Sequence, residues 1–108
     1  GKERTAKLEI AAAQQLSGAE LNPRLAGAEF TELPASARAG GVSGVLLESL
    51  ERDSVLAYEG LRPGDVITAV NRKRTDNLDD LRRVMEGVRG PVLLQLRRDG
   101  DVYVARID

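Results

Sequence analysis

The stretch GLRPGDVITAVN, residues 60 to 71, is the most sharply patterned part of the chain. Arg62-Pro63-Gly64-Asp65 matches a type II turn, with proline presetting the first central residue and glycine accepting positive φ at the second. VITAV, 66 to 70, reads as a buried strand headed by β-branched residues, and it stops at Asn71. Just upstream, VLLESL (45 to 50) is a strand. RDSVLAYEG then gives a short helix with Ser54 or Asp53 as cap, Val55 to Glu59 as body and Gly60 as the stop. A tight corner therefore delivers the chain from a small helix into a core strand.

Downstream, Asn77 is placed to cap a longer helix, and Asp79 and Asp80 in its first turn favour the exposed amides. Leu78, Leu81, Met85 and Val88 recur at helical spacing, with Val84 beside them. Gly90-Pro91 ends that segment. Asp99-Gly100 is a hairpin signal joining VLLQLRR to VYVARI. Upstream, residues 11 to 24 read as a connector of small residues with an Asn-Pro turn. Residues 25 to 33 hold a short apolar strand, and 34 to 44 a Pro/Ala/Gly-rich loop.

The expected fold is mainly β with two helices (α+β), a partly open barrel or sandwich with one short and one longer helix. An open sheet of this kind keeps edges that are either protected or used for pairing.

Composition narrows the chemistry. The 108 residues fit one domain, and 42% hydrophobic with 31% charged residues is ordinary for a globular protein. Aromatics are only 3%, so Leu, Val, Ile and Ala must build the core. Sixteen basic and seventeen acidic side chains leave a net charge of −1, which argues against a nucleic-acid surface. No apolar run approaches the roughly 20 residues of a membrane span.

Neither histidine nor cysteine is present, which removes the common nucleophile pairs, thiolate metal sites and most zinc sites. Gly41-Val42-Ser43-Gly44-Val45 lacks the last glycine of a nucleophile elbow. Asp79 and Asp80, the obvious carboxylate pair, sit where a helix start wants negative charge. The fragment is expected to be non-catalytic, with no cofactor and no metal.

The corner closely resembles the signature of PDZ domains, in which Gly-Leu-x-x-Gly-Asp leads into a core strand ending in Asn. NLDDLRRVMEGV is similar to the helix lining the peptide groove, and VLLQLRRDGDVYVARI to the closing hairpin. The order is that of the circularly permuted bacterial form. LNPRLAGAEF followed by this layout resembles the second PDZ domain of HtrA-type, Do-like periplasmic serine proteases, over residues 21 to 108. Two departures stand out: Ser54-Val55-Leu56-Ala57 replaces Ser-Pro-Ala-Ala, and the loop 34 to 44 is long.

GKERTAKLEI echoes GDVYVARID at the other end of the chain. The resemblance thus implies that residues 1 to 13 hold the last strand of a preceding module plus a connector, and 14 to 108 the domain, with its core at 21 to 108.

The resemblance also implies a site. Leu25, Ala26, Gly27 and Ala28 would form a peptide-carboxylate loop, their amides turned inward as an anion nest, with Arg24 adding attraction. Glu29, Phe30 and Thr31 would be the free edge to which a peptide adds as a strand. Leu78, Leu81 and Met85 would line the groove, with Val84 and Val88 in the core. The same residues would serve equally as a tight turn and ordinary core packing.

The implied function is a regulatory domain of a periplasmic serine endopeptidase active in protein quality control. Its partners would be peptides or unfolded segments and neighbouring protomers or PDZ domains, without nucleic acid or membrane insertion. The alternatives are an assembly module with a weak groove, or a PDZ domain of another bacterial parent such as a site-two-type metalloprotease or a secretion scaffold.

Overall fold

The computed structural model describes residues 15–108. Among the described residues, seven antiparallel strands form one open sheet, accompanied by four α-helices. In chain order these are β1 (Gln15–Ser17), α1 (Gly18–Leu21), a 3-10 turn (Pro23–Leu25), β2 (Ala28–Glu32), α2 (Ala35–Ala39) and β3 (Val45–Leu50). Then follow α3 (Val55–Tyr58), β4 (Val66–Val70), β5 (Lys73–Arg74), α4 (Leu78–Glu86), β6 (Val92–Arg98) and β7 (Asp101–Ile107). The strands lie in the order β1-β2-β3-β4-β6-β7, with β5 paired to β4.

The α+β expectation holds, and α1 and α2 are two one-turn helices beyond the two foreseen. The segment 11 to 24 was expected as a plain connector; its described part is instead strand, helical turn and 3-10 turn. The sequence echo between residues 1 to 10 and β7 lies outside the described residues.

The corner does three things at once. The Asp65 amide donates to the Arg62 carbonyl (3.1 Å), and Gly64 takes φ +100°, as a type II turn requires. The Arg62 amide donates back to Asp65 Oδ2 (2.9 Å). Gly64 then donates to Leu47 O and Leu47 to Asp65 O, both at 2.8 Å, stitching the corner to β3. At the other end, Asn71 adopts φ +49°, which asparagine tolerates better than most residues. Its Oδ1 accepts from the Leu93 amide (2.7 Å) and its amide donates to Leu93 O (2.8 Å), locking β4 onto β6.

The core is aliphatic, as the composition requires. Leu25, Phe30, Leu47, Leu56, Ile67, Leu81, Leu94, Leu96 and Ile107 are its largest buried side chains, and Phe30 is the single phenylalanine. α4 begins at its Asn77 cap, whose Oδ1 accepts from the Asp80 amide (2.8 Å). Leu78, Leu81 and Met85 face inward from it. Val84 and Val88, expected in the core, are only half-buried and pack on its rim.

Candidate functional site

The candidate site lies between β2 and α4. Along β2, Ala28 and Phe30 are buried while Glu29 is exposed, the alternation of a strand with one covered face. Glu32 ends the strand and ties it to the helix. Its Oε2 accepts from the Leu78 amide at the start of α4 (3.3 Å), and its Oε1 meets Arg38 Nη2 at 3.0 Å. A carboxylate at a helix N-terminus is favourable, so this contact also sets how far β2 and α4 stand apart.

The expectation of a free edge at Glu29, Phe30 and Thr31 is corrected. One side of β2 pairs with β3 and the other with β1, in the register Gln15↔Thr31, Leu16↔Phe30, Ser17↔Glu29. Directly opposed antiparallel residues point to the same face, so Leu16 follows Phe30 inward and is only 8% exposed. It joins one apolar cluster with Phe30, Leu78, Leu81 and Met85. Gln15, facing outward, donates from Nε2 to Glu48 Oε1 on β3. A hollow of about 220 Å³ remains beside Leu16, lined also by Glu20, Leu21, Arg82 and Glu86.

Past Ser17 the chain presses on the loop before β2. A Cβ placed on Gly18 would lie 1.9 Å from the Leu25 carbonyl oxygen, so no other residue fits there without a shift. The hold is nonetheless slight. Ser17 caps α1 without a side-chain hydrogen bond, and β1 pairs over three residues. Burying Leu16 contributes about 2 kcal/mol, and ordering each backbone residue costs about 1–2 kcal/mol.

The carboxylate-loop residues Leu25 to Ala28 are brought together, and two of their four amides, those of Leu25 and Ala26, are already bonded within the chain. Asn22 Oδ1 accepts from the Arg24 amide (2.9 Å), Asn22 O from the Leu25 amide (2.9 Å) and Pro23 O from the Ala26 amide (3.2 Å). Those three donors are committed to the 3-10 turn. Leu25 and Ala28 are themselves buried.

Gly27 takes φ +89°, and its carbonyl accepts from the Glu51 amide (2.9 Å). Ser54, the cap of α3, donates from Oγ to Ala26 O (2.8 Å) while accepting from the Leu56 amide (3.1 Å). The loop is thus pinned to α3. Arg24 is half-buried, and its Nε makes no hydrogen bond among the described residues.

The comparisons with known proteins agree with this fold. A family model described as PDZ domain matches residues 47–98. The chain is 32% identical over 107 residues to a probable periplasmic serine protease do/HhoA-like of Haemophilus influenzae, covering 96% of this chain and 22% of that protein. It is 29% identical over 105 residues to the periplasmic serine endoprotease DegP of Salmonella typhimurium, covering 96% and 21%. The chain therefore spans about a fifth of the length of these relatives. Among solved structures, the HtrA3 PDZ domain bound to a phage-derived ligand, FGRWV, superposes with a TM-score of 0.63 at 25% identity, over 75% of this chain and 79% of that one.

Proposed function

We propose, from the premise that this chain belongs to the PDZ-domain family, that its groove between β2 and α4 binds exposed apolar peptide segments by strand addition. The carrying observation is that an extended segment already lies there, antiparallel to β2, with Leu16 buried between Phe30 and α4. In this mode main-chain bonds hold the ligand, and pockets select alternate side chains. The groove thereby takes a leucine-sized residue opposite Phe30.

The chain itself is non-catalytic. Its relatives bear the name of periplasmic serine proteases, which supports a parent of that activity and location. In such a parent the domain would bring unfolded segments to the protease.

A second reading, assembly, is favoured by β7. This strand forms the far edge of the described sheet, with Val102 58% and Val104 62% exposed. An apolar edge strand is suited to meeting a neighbouring protomer.

A chemical-shift titration of the chain with an unstructured, leucine-containing peptide separates the two. Peptide binding predicts shifts confined to residues 15–31 and 78–86, with Kd on the order of 10 μM to 1 mM. No shifts in that range, together with concentration-dependent broadening along residues 101–107, would favour assembly.

A further inference from the structure

We propose that Gln15–Leu21 is a plug held in cis: it occupies the place of an incoming peptide, and the groove captures a ligand only when this segment leaves. The inference rests on the peptide-binding reading above. Three observations carry it. The segment takes the middle of the β2 edge, pairing residue for residue from Thr31 to Glu29, so a second strand cannot add at these three residues until β1 detaches. Leu16 fills the apolar position opposite Phe30. Gly18 lies against the Leu25 backbone so closely that only glycine fits, which marks this as a fitted contact.

The same segment is built to come off. It pairs over three residues, turns once through a four-residue helix without a side-chain cap, and buries one leucine, Leu16, with Leu21 half-buried against the same cluster. Being covalently attached, it competes at an effective concentration in the millimolar range, as short tethers do. A ligand's apparent Kd is its intrinsic Kd divided by the fraction of molecules with the plug out. Any partner or movement that draws residues 15–21 away therefore raises affinity without altering a groove residue.

Fluorescence anisotropy on the full chain tests this, with a labelled nine-residue copy of residues 13–21, AQQLSGAEL, as probe. Gly18→Ala introduces the clash with Leu25 and releases the plug. Leu16→Glu releases it by a different route and controls for local disturbance of the loop. Because the chain has no cysteine, a Ser17→Cys/Glu29→Cys pair can lock β1 to β2, opposed antiparallel residues being within disulfide reach.

The expected result is binding about tenfold or more tighter in both release variants than in the unmodified chain. The oxidised lock should bind nothing, and reduction should restore binding. Equal affinity in all forms, the oxidised lock included, would overturn the plug; the peptide-binding reading would survive if the shifts still map to β2 and α4. No binding by any form, even where amide exchange shows β1 released, would overturn both.

Discussion

Arg98 holds Asp65 with two sides of its guanidinium, Nε at 2.7 Å from Oδ1 and Nη2 at 2.7 Å from Oδ2. The same Nη2 donates to the Gly60 carbonyl at 2.8 Å, and the guanidinium lies 5.0 Å from the centre of the Tyr103 ring. The last residue of β6 therefore grips both ends of the Gly60–Asp65 corner. This explains why the chain keeps so sharp a corner before so buried a strand. The Asp65 side chain is only 2% exposed, and a carboxylate removed from water needs a partner.

Arg98→Ala should therefore be among the most damaging single changes, because it strands a buried charge. The expected loss is about 3–5 kcal/mol in denaturant unfolding. Arg98→Lys should recover only part, since an ammonium cannot make the two-pronged contact. The hydrogen bonding that Arg98 donates to the Asp65 carboxylate raises the Arg98 pKa. A raised folded-state pKa contributes stability that is lost only as pH rises through the arginine range. The contribution of this pair through Arg98 is thus constant across neutral pH.

Ser54 joins α3 to the loop before β2, capping the helix and donating to Ala26 O. Ser54→Ala should cost about 1–2 kcal/mol and speed amide exchange at Leu56. Gly27→Val strikes the same junction from the other side. It places a branched residue at φ +89° with its Cβ 3.0 Å from Ser54 Cβ, and a loss of about 1–3 kcal/mol is expected. A melting temperature unchanged by Gly27→Val would show that the loop is not pinned there.

The commitment of the Arg24, Leu25 and Ala26 amides to the 3-10 turn bears on ligand chemistry. The sequence reading implied capture of a free carboxylate by this loop. The cis segment instead runs through the groove and continues past it. Peptides with a free or an amidated C-terminus should accordingly bind the Gly18→Ala chain with equal affinity in parallel anisotropy titrations. A severalfold preference for the free acid would mean that the turn opens and its amides serve an anion after all.

The strongly legible elements share a physical basis. The corner was readable because Pro63 and Gly64 each force one backbone geometry. α4 was readable because Asn77 caps it, and its inward residues repeat over nine residues. β1 was hidden for the opposite reason. Three residues with one apolar side chain carry no period, and Leu16 among small polar neighbours resembles a connector. Only Gly18 gave a trace of the close approach, as an unremarkable Ser-Gly pair. α2 was masked by Pro34 and Gly40-Gly41, which flank five residues containing three alanines, good helix formers inside what read as a loop. Leu81 and Met85 fall on the buried face of α4, as their spacing implied. That the edge opposite them was already taken depended on a tertiary contact that local pattern does not encode.

In the proposal, β2 and α4 form a peptide groove that the chain itself fills in the free state. The most direct measurement is a nuclear Overhauser experiment between labelled leucine methyls and the ring of Phe30, the single phenylalanine, before and during titration with AQQLSGAEL. The expected result is a Leu16–Phe30 contact in the free chain that fades as the peptide is added, while a contact from the peptide's leucine to the same ring grows in its place. A Leu16–Phe30 contact that persists at saturation, with peptide contacts elsewhere on the molecule, would contradict it.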